Sequence, residues 1–379
     1  LCISFTLSTN ILLDMSFNTK QSPNNCSSNM TNSDESYLNF ESLVRIVVPT
    51  IFGVIFLLGL VGNIVVILVV IGDKHMRNTT NILILNLAIA DLFFIVFCVP
   101  FTASGYAMTV WPFGNIWCKV VQYMMYVCAY ASVYTLVLMS LDRYLAVVHA
   151  IRSMRYRTER NTSLAVIITW VVILLCNIPL LFIYEEYQYE HFKENRSACL
   201  NVAEFDKPYV GKLFYGIFFA FGYILPLGAV CIMYGLMLKR LLYGIVPGGN
   251  QSAESIRAKK RVTRMVIIVV VLFAVCWLPI QVILIVQKFG FYPTDIFYVG
   301  IQMASNCLAY MNSCVNPFLY AFLSENFRRS FRKVLFCFDS QRGKHSYERT
   351  STRMVDEKTK NTTSANILYK PNAIFEFTF

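Results

Sequence analysis

Apolar residues run almost unbroken through seven stretches of the chain, at about 45–71, 79–107, 116–148, 162–183, 209–238, 264–287 and 295–322, and polar or charged clusters separate them. Crossing about 30 Å of hydrocarbon takes roughly twenty helical residues, and each stretch is long enough. An open chain satisfies its own backbone in lipid only as a helix. One stretch alone would fit a buried core helix; seven in succession predict an all-α membrane protein, a seven-transmembrane helix bundle. The composition agrees: of 379 residues, 56% are apolar, 15% aromatic and only 15% charged, more apolar surface than a soluble domain can hide from water.

Lysine and arginine gather on one side of the predicted bundle. That side holds Lys74 and Arg77, the loop from Arg152 to Arg160, the stretch from Lys239 to Arg264, and the stretch from Arg328 to Lys333. The other side has Lys119, Lys193, Arg196, Lys207, Lys212 and Lys288, diluted by Glu185, Glu186, Glu190, Glu194, Glu204 and Asp206. The first side is therefore expected in the cytoplasm, with the N-terminus outside. Much of the net charge of +11 is this inside bias, so it does not indicate nucleic-acid binding.

Residues 1–44 form a polar extracellular tail. Glycan-acceptor triplets begin at Asn25 and Asn29, and a third begins at Asn195 in the long outer loop. The first fourteen residues lack the basic flank of a signal peptide, which points to Met15 as the start and to the first helix as the membrane signal. The bundle occupies 45–323. In the following segment, 324–337, Phe327, Phe331 and Leu335 recur at helical spacing. This predicts a short amphipathic eighth helix on the inner membrane surface, with Cys337 a palmitoylation candidate. Residues 338–379 are polar and read as a disordered cytoplasmic tail, with Ser346, Thr350, Ser351 and Thr352 as candidate phosphorylation sites.

Most of the twelve cysteines lie inside the spans, where a thiol acts as a small apolar group. Cys118 and Cys199 fall in the oxidising compartment, where a bridge between them would tie the outer loop across the bundle mouth. Pro49, Pro100, Pro179, Pro226, Pro279 and Pro317 interrupt six spans. They are either static kinks or bends about which half-helices move. Asp91 is the acidic residue well inside the second span, and Asn63, Ser132, Asn312, Ser313 and Asn316 lie at matching depth. One carboxylate among neutral oxygen donors suits a sodium ion or a proton; alternatively, a protonated Asp91 only fixes helix packing.

GN at 62–63, LNLAIAD at 85–91, LDRYLAV at 141–147, Trp170, CWLP at 276–279 and NPFLY at 316–320 occur in order and in the right spans. Together they resemble the rhodopsin-like family of G-protein-coupled receptors over about residues 45–337. The resemblance implies an extracellular ligand pocket and a sodium site of Asp91, Ser132, Asn312, Ser313 and Asn316 that collapses on activation. It implies Trp277 as a pivot beside Pro279, with Asn316 and Pro317 in the seventh span, and Asp142, Arg143, Tyr144 and Tyr320 as the switch facing the G protein. It implies no catalysis and no cofactor beyond the sodium ion. The partners would be a heterotrimeric G protein, receptor kinases, arrestin and the lipid bilayer.

Where amine, opioid and somatostatin receptors carry an aspartate, eighteen residues before the arginine, this chain has Met125. Where opsins carry the retinal lysine, seven residues before the seventh-helix proline, it has Tyr310. The stretches VWPFGNIWCK at 110–119, RSMRYRTERN at 152–161 and LAYMNSCVNPFLYAFLSENFRRSFRKV at 308–334 look like the galanin and insect allatostatin-A receptors, the allatostatin-A type more closely. That implies a short C-terminally amidated neuropeptide as ligand and coupling mainly to the inhibitory class of G protein; a galanin-like or kisspeptin-like specificity is the alternative. Phe101, Gln122, Met125, Tyr126, Gln281, Leu284, Gln302 and Asn306 are the candidate lining. Their amides can bond a peptide backbone or a terminal carboxamide, and some of the eight are expected to be ordinary packing.

A transporter or channel would show broken helices, an internal repeat or rings of charge, and none is legible. A metalloenzyme would need clustered ligands, whereas His75, His149, His191 and His345 are scattered at or beyond the span ends. In many members of the family a glutamate twenty residues before the sixth-helix proline also holds the arginine of the switch. Here that position is Lys259, so Asp142, helped by the Thr263 hydroxyl, is expected to restrain Arg143 alone.

Overall fold

The structure, a computed structural model, describes residues 32–73, 76, 78–191, 194–243, 253–290, 293, 295–323 and 327–331. Met15, Asn25, Asn29, Cys337, the tail 338–379 and the Lys259 side chain lie outside the described residues. Seven long helical segments follow one another. The first is Asn32–Gly72; the second is Thr79–Phe97, continued after Cys98 by Val99–Ala107; the third is Gly114–Val148; the fourth is Glu159–Asn177, continued by Leu180–Ile183. The fifth runs from Pro208–Phe219 through a π-helical turn at Ala220–Ile224 into Leu225–Tyr243; the sixth is Ala253–Phe289 and the seventh Ile296–Leu323.

Among the described residues, all of these but the seventh are long and apolar enough to cross a membrane by length and composition. The seventh has 28 residues, and its hydropathy is lowered by Gln302, Ser305, Asn306, Asn312, Ser313 and Asn316. All six are buried in the bundle, so the polar character belongs to an inward face. The third span sits centrally, with 67% of its most apolar window buried, whereas the fourth has 17%. The fourth turns Leu164, Ile167, Ile168, Val171, Val172 and Leu175 outward, which suits contact with lipid.

The six prolines are accommodated in three ways. Pro49, Pro279 and Pro317 lie inside continuous helices. Pro100 opens a new segment after the break at Cys98, and Pro179 immediately precedes Leu180–Ile183; at a helix start no N–H partner is needed. Pro226 follows the π-helical turn. A wider turn there gives the proline ring room against the carbonyl of Gly222, four residues earlier. Gly62 packs against Pro317, whose ring a Cβ at that position would meet at 3.0 Å, and the next residue, Asn63, donates from Nδ2 to the carbonyls of Gly59 (2.9 Å) and Ser313 (3.0 Å). The GN pair thus joins the first and seventh helices.

The outer loop is an antiparallel hairpin, β1 (Tyr184–His191) and β2 (Glu194–Asn201), in register from Tyr184 opposite Asn201 to His191 opposite Glu194. It departs from the all-helical expectation. A disulfide joins Cys199 of β2 to Cys118 of the third helix, Cα to Cα 5.4 Å. Trp111 N–H donates to Ser197 O at 3.0 Å and Ser197 N–H to Thr109 O at 3.3 Å, so the loop before the third helix covers the edge of β2. That helix begins at Gly114 with φ +74°, a left-handed turn that glycine makes without penalty. Lys119 pairs with Glu185, and the largely buried Arg196 pairs with Glu41 of the first helix. The chain divides between Arg328 and Arg329 into two units; the features above belong to the first. Residues 327–331 are helical, with Phe327 buried and Arg328 and Arg329 exposed.

Candidate functional site

Near the hairpin, the positions that exclude an amine anchor and a Schiff base fill each other's space. The Tyr310 hydroxyl reaches Met125 Sδ at 3.8 Å and lies 2.8 Å from Thr102 Oγ1; its ring meets Phe52 edge-on at 5.0 Å and Phe94 at 4.7 Å. Asn306 Nδ2 donates to the Tyr106 hydroxyl at 3.3 Å, and that ring stacks on Phe52 at 5.9 Å. Gln287 Nε2 donates to Gln302 Oε1 at 3.1 Å. The hydroxyls of Tyr126 and Tyr184, the first residue of β1, are 3.1 Å apart, and the Tyr126 ring packs on Phe214 and Phe218. Gln122 and Leu284 are buried.

Gln281 differs from these. It is 1% exposed, and neither its Oε1 nor its Nε2 has a hydrogen-bond partner among the described residues. An amide left so costs about 1–3 kcal/mol, which a ligand with matching groups would recover. Phe101 is placed otherwise: its ring contacts are with Phe113 (4.9 Å) and Trp117 (5.3 Å), beside Trp111. It belongs to an aromatic cluster under the covering loop.

Midway along the bundle, Asp91 is fully buried. Ser132 Oγ donates to its Oδ1 at 3.2 Å and Asn316 Nδ2 to its Oδ2 at 2.8 Å. Ser313 and Asn312 are buried as well, and among the described residues no cationic side chain pairs with Asp91. A carboxylate with hydroxyl and amide neighbours is a donor set that fits a hard cation. Trp277 stacks on Phe273 at 5.8 Å and lies 6.4 Å from Phe218. Tyr223, in the π-helical turn, donates to Ala274 O at 2.8 Å, so the fifth helix is tied to the sixth one turn before Trp277.

At the opposite end from the hairpin, Asp142 is 8% exposed and Arg143 9%. Asp142 Oδ2 accepts from Arg143 Nε at 3.0 Å, from Arg143 Nη2 and from Thr80 Oγ1 at 3.1 Å. Its Oδ1 accepts from Thr79 Oγ1 at 3.1 Å and Arg157 Nε at 2.8 Å. Arg143 Nη2 also donates to Thr80 Oγ1. The hydroxyl that meets Arg143 is therefore that of Thr80 on the second helix, not of Thr263, and the Asp142 carboxylate is shared with Thr79 and with Arg157 of the following loop. Tyr144 points to His149, 3.4 Å from Nε2. Tyr320 is buried against Phe327, its hydroxyl without a partner among the described residues.

Sequence reasoning passed over Thr79, Thr80 and Arg157, and also Tyr106, Tyr184 and Gln287. Gln287 sits three residues after Leu284, on the same helical face, a spacing that pointed to it. For the rest only the tertiary approach of separate helices reveals the role.

A helix bundle with a hairpin bridged over one end and a buried Asp-Arg pair at the other matches a known class: residues 62–320 match the family described as 7 transmembrane receptor (rhodopsin family). The chain belongs to that family, and it is a multi-pass receptor of the plasma membrane rather than an enzyme. It is similar to the allatostatin-A receptor of Bombyx mori, 53% identical over 319 residues that cover 84% of this chain and 88% of that receptor. It is also similar to the galanin-like G-protein coupled receptor npr-9 of Caenorhabditis elegans, 41% identical over 79% of this chain and 75% of the other. With galanin receptor type 1 of Homo sapiens it shares 38% identity over 79% and 84% of the two chains.

Proposed function

We propose that this receptor binds a short, C-terminally amidated neuropeptide of the allatostatin-A type beneath the hairpin. It signals mainly through heterotrimeric G proteins of the inhibitory class, with receptor kinases and arrestin acting on its tail. The identity of 53% to a receptor named for allatostatin-A supports the ligand class.

The carboxamide rests on one observation, the buried Gln281 with both amide atoms unpartnered. A primary carboxamide has a carbonyl and an NH2, so it can accept from Nε2 and donate to Oε1 at once. A carboxylate can only accept, and leaves Oε1 opposed to negative charge. The difference, about 1–3 kcal/mol, corresponds to roughly 5–150-fold in affinity. Cells expressing the chain should respond to amidated allatostatin-A-type peptides at concentrations at least about tenfold below those of the free acids, and Gln281→Leu should shrink that gap. Equal potency of amide and acid refutes the assignment, and a stronger response to galanin favours the galanin-like alternative.

Asp91, with Ser132, Asn312, Ser313 and Asn316, holds a sodium ion in the resting receptor, which supplies the positive charge that the buried carboxylate lacks. Sodium exchanged for choline at constant ionic strength should raise agonist affinity, because the ion favours the resting state that the agonist must displace, and Asp91→Asn should abolish that dependence. Indifference of the unaltered receptor to sodium would leave Asp91 as a packing residue. Asn25, Asn29 and the exposed Asn195 as glycan acceptors, and Cys337 as a palmitoylation site, complete the reading.

A further inference from the structure

The two oxygens of Asp142 are divided between two arginines. Arg143 takes Oδ2 through Nε and Nη2, and Arg157 takes Oδ1 through Nε at 2.8 Å. Arg157 also lies 3.5 Å from Thr79 Oγ1 through Nη2, and its side chain is 22% exposed. Its backbone is held in place: Arg157 N–H donates to Ser153 O at 2.8 Å, and Ser153 N–H to His149 O at 2.8 Å. The next residue, Thr158, caps the fourth helix by accepting from Asn161 N–H at 3.2 Å. The guanidinium is thus presented to Asp142 by an ordered loop.

We propose that Arg157 is a positioning residue of the switch, a reserve counter-ion that makes release of Arg143 easier. The inference rests on reading Asp142 and Arg143 as the switch. While Arg143 is docked, Asp142 already has a cation, and the second one adds little to a shared carboxylate. Once Arg143 leaves, a carboxylate 8% exposed would face only the hydroxyls of Thr79 and Thr80, and a buried charge without a counter-ion is strongly disfavoured. Arg157 supplies the counter-ion in that state. Because it favours the released state more than the docked one, it shifts the population toward release. Losing it should tighten the docked state, the opposite of what losing Asp142 should do.

The test uses full-length receptor in lipid nanodiscs with a heterotrimeric G protein that the unaltered receptor activates, and reads guanine-nucleotide exchange without ligand. Arg157→Ala should lower basal exchange at least threefold, while Asp142→Asn raises it. In the Asp142→Asn background, Arg157→Ala should change nothing further, because the carboxylate it serves is gone. Arg157→Gln, which keeps most of the side-chain stem, should behave like Arg157→Ala, and thermal unfolding of each variant separates loss of fold from a shifted equilibrium. Basal exchange unchanged or raised by Arg157→Ala, with Asp142→Asn still raising it, overturns this proposal and leaves the switch reading intact. An equal fall in both backgrounds also overturns it, since Arg157 then acts on the G protein directly. If Asp142→Asn itself changes nothing, the switch reading fails and takes the proposal with it.

Discussion

Replacing Cys118 or Cys199 by serine will abolish the response to extracellular ligand while the helices still insert and assemble. The bridge joins residues 81 apart, and closing a loop of that length is worth about 4–5 kcal/mol in the chain-entropy model. What remains to hold the hairpin is weaker. Lys119–Glu185 is substantially exposed, and such pairs contribute about 0–1 kcal/mol. The Trp111–Ser197 backbone bonds lie on the strand edge, and Arg196–Glu41 anchors the far side. Without the disulfide, β1 can lift and carry Tyr184 away from Tyr126, which opens the region where the ligand is expected. Surface receptor counted by an N-terminal tag, together with labelled-peptide binding, checks this. Unchanged affinity in surface-expressed Cys118→Ser would show that the hairpin is not part of the ligand site.

Asp142→Asn will raise unliganded signalling by about tenfold. The substitution leaves two arginines sharing a neutral amide, and Arg143 keeps Thr80 as its main remaining partner. Breaking a buried pair by removing one partner costs about 3–5 kcal/mol when the stranded charge has no other outlet. Here Arg143 can swing away, so only about 1–2 kcal/mol is expected to appear as a change in the equilibrium, a factor of roughly 5–30. Basal nucleotide exchange normalised to receptor number measures it. A value equal to that of the unaltered receptor would mean that Asp142 does not restrain Arg143.

The transmembrane helices were legible because a span needs about twenty apolar residues, and little else in a chain looks like that. The seventh was the least obvious by hydropathy, yet its buried polar residues at 302, 305, 306, 312, 313 and 316 recur near helical spacing and mark its inward face. The hairpin was not legible, since YEEYQYEH reads as a solvated acidic loop until β2 and the bridge to Cys118 give its strands partners. Asp91 and its neighbours could be gathered by depth alone, because polar atoms inside an apolar span stand out. Arg157 could not: in sequence it is one of several basic residues in a cytoplasmic loop, and its value comes from the turn that carries it to a carboxylate fifteen residues away. Thr79 and Thr80 are two ordinary hydroxyls at the start of the second span in sequence, and only the approach of the third helix brings Asp142 within 3.1 Å of each. Gln281 is legible in sequence as one of the amides of the candidate lining, but its lack of a partner among the described residues is a property of its surroundings.

The contact between Met125 and Tyr310 bears on how such a receptor could change allegiance. An acid placed at position 125 to capture an amine would be sealed in at a site 0% exposed, against the Tyr310 hydroxyl and beside the Phe52 and Phe94 rings that pack on it. A lysine at position 310 would lose the Thr102 bond and lie against a thioether. Either step alone is penalised, so drift toward charged small-molecule ligands would require coordinated changes on the third and seventh helices, and single substitutions would tend to keep the lineage with neutral ligands.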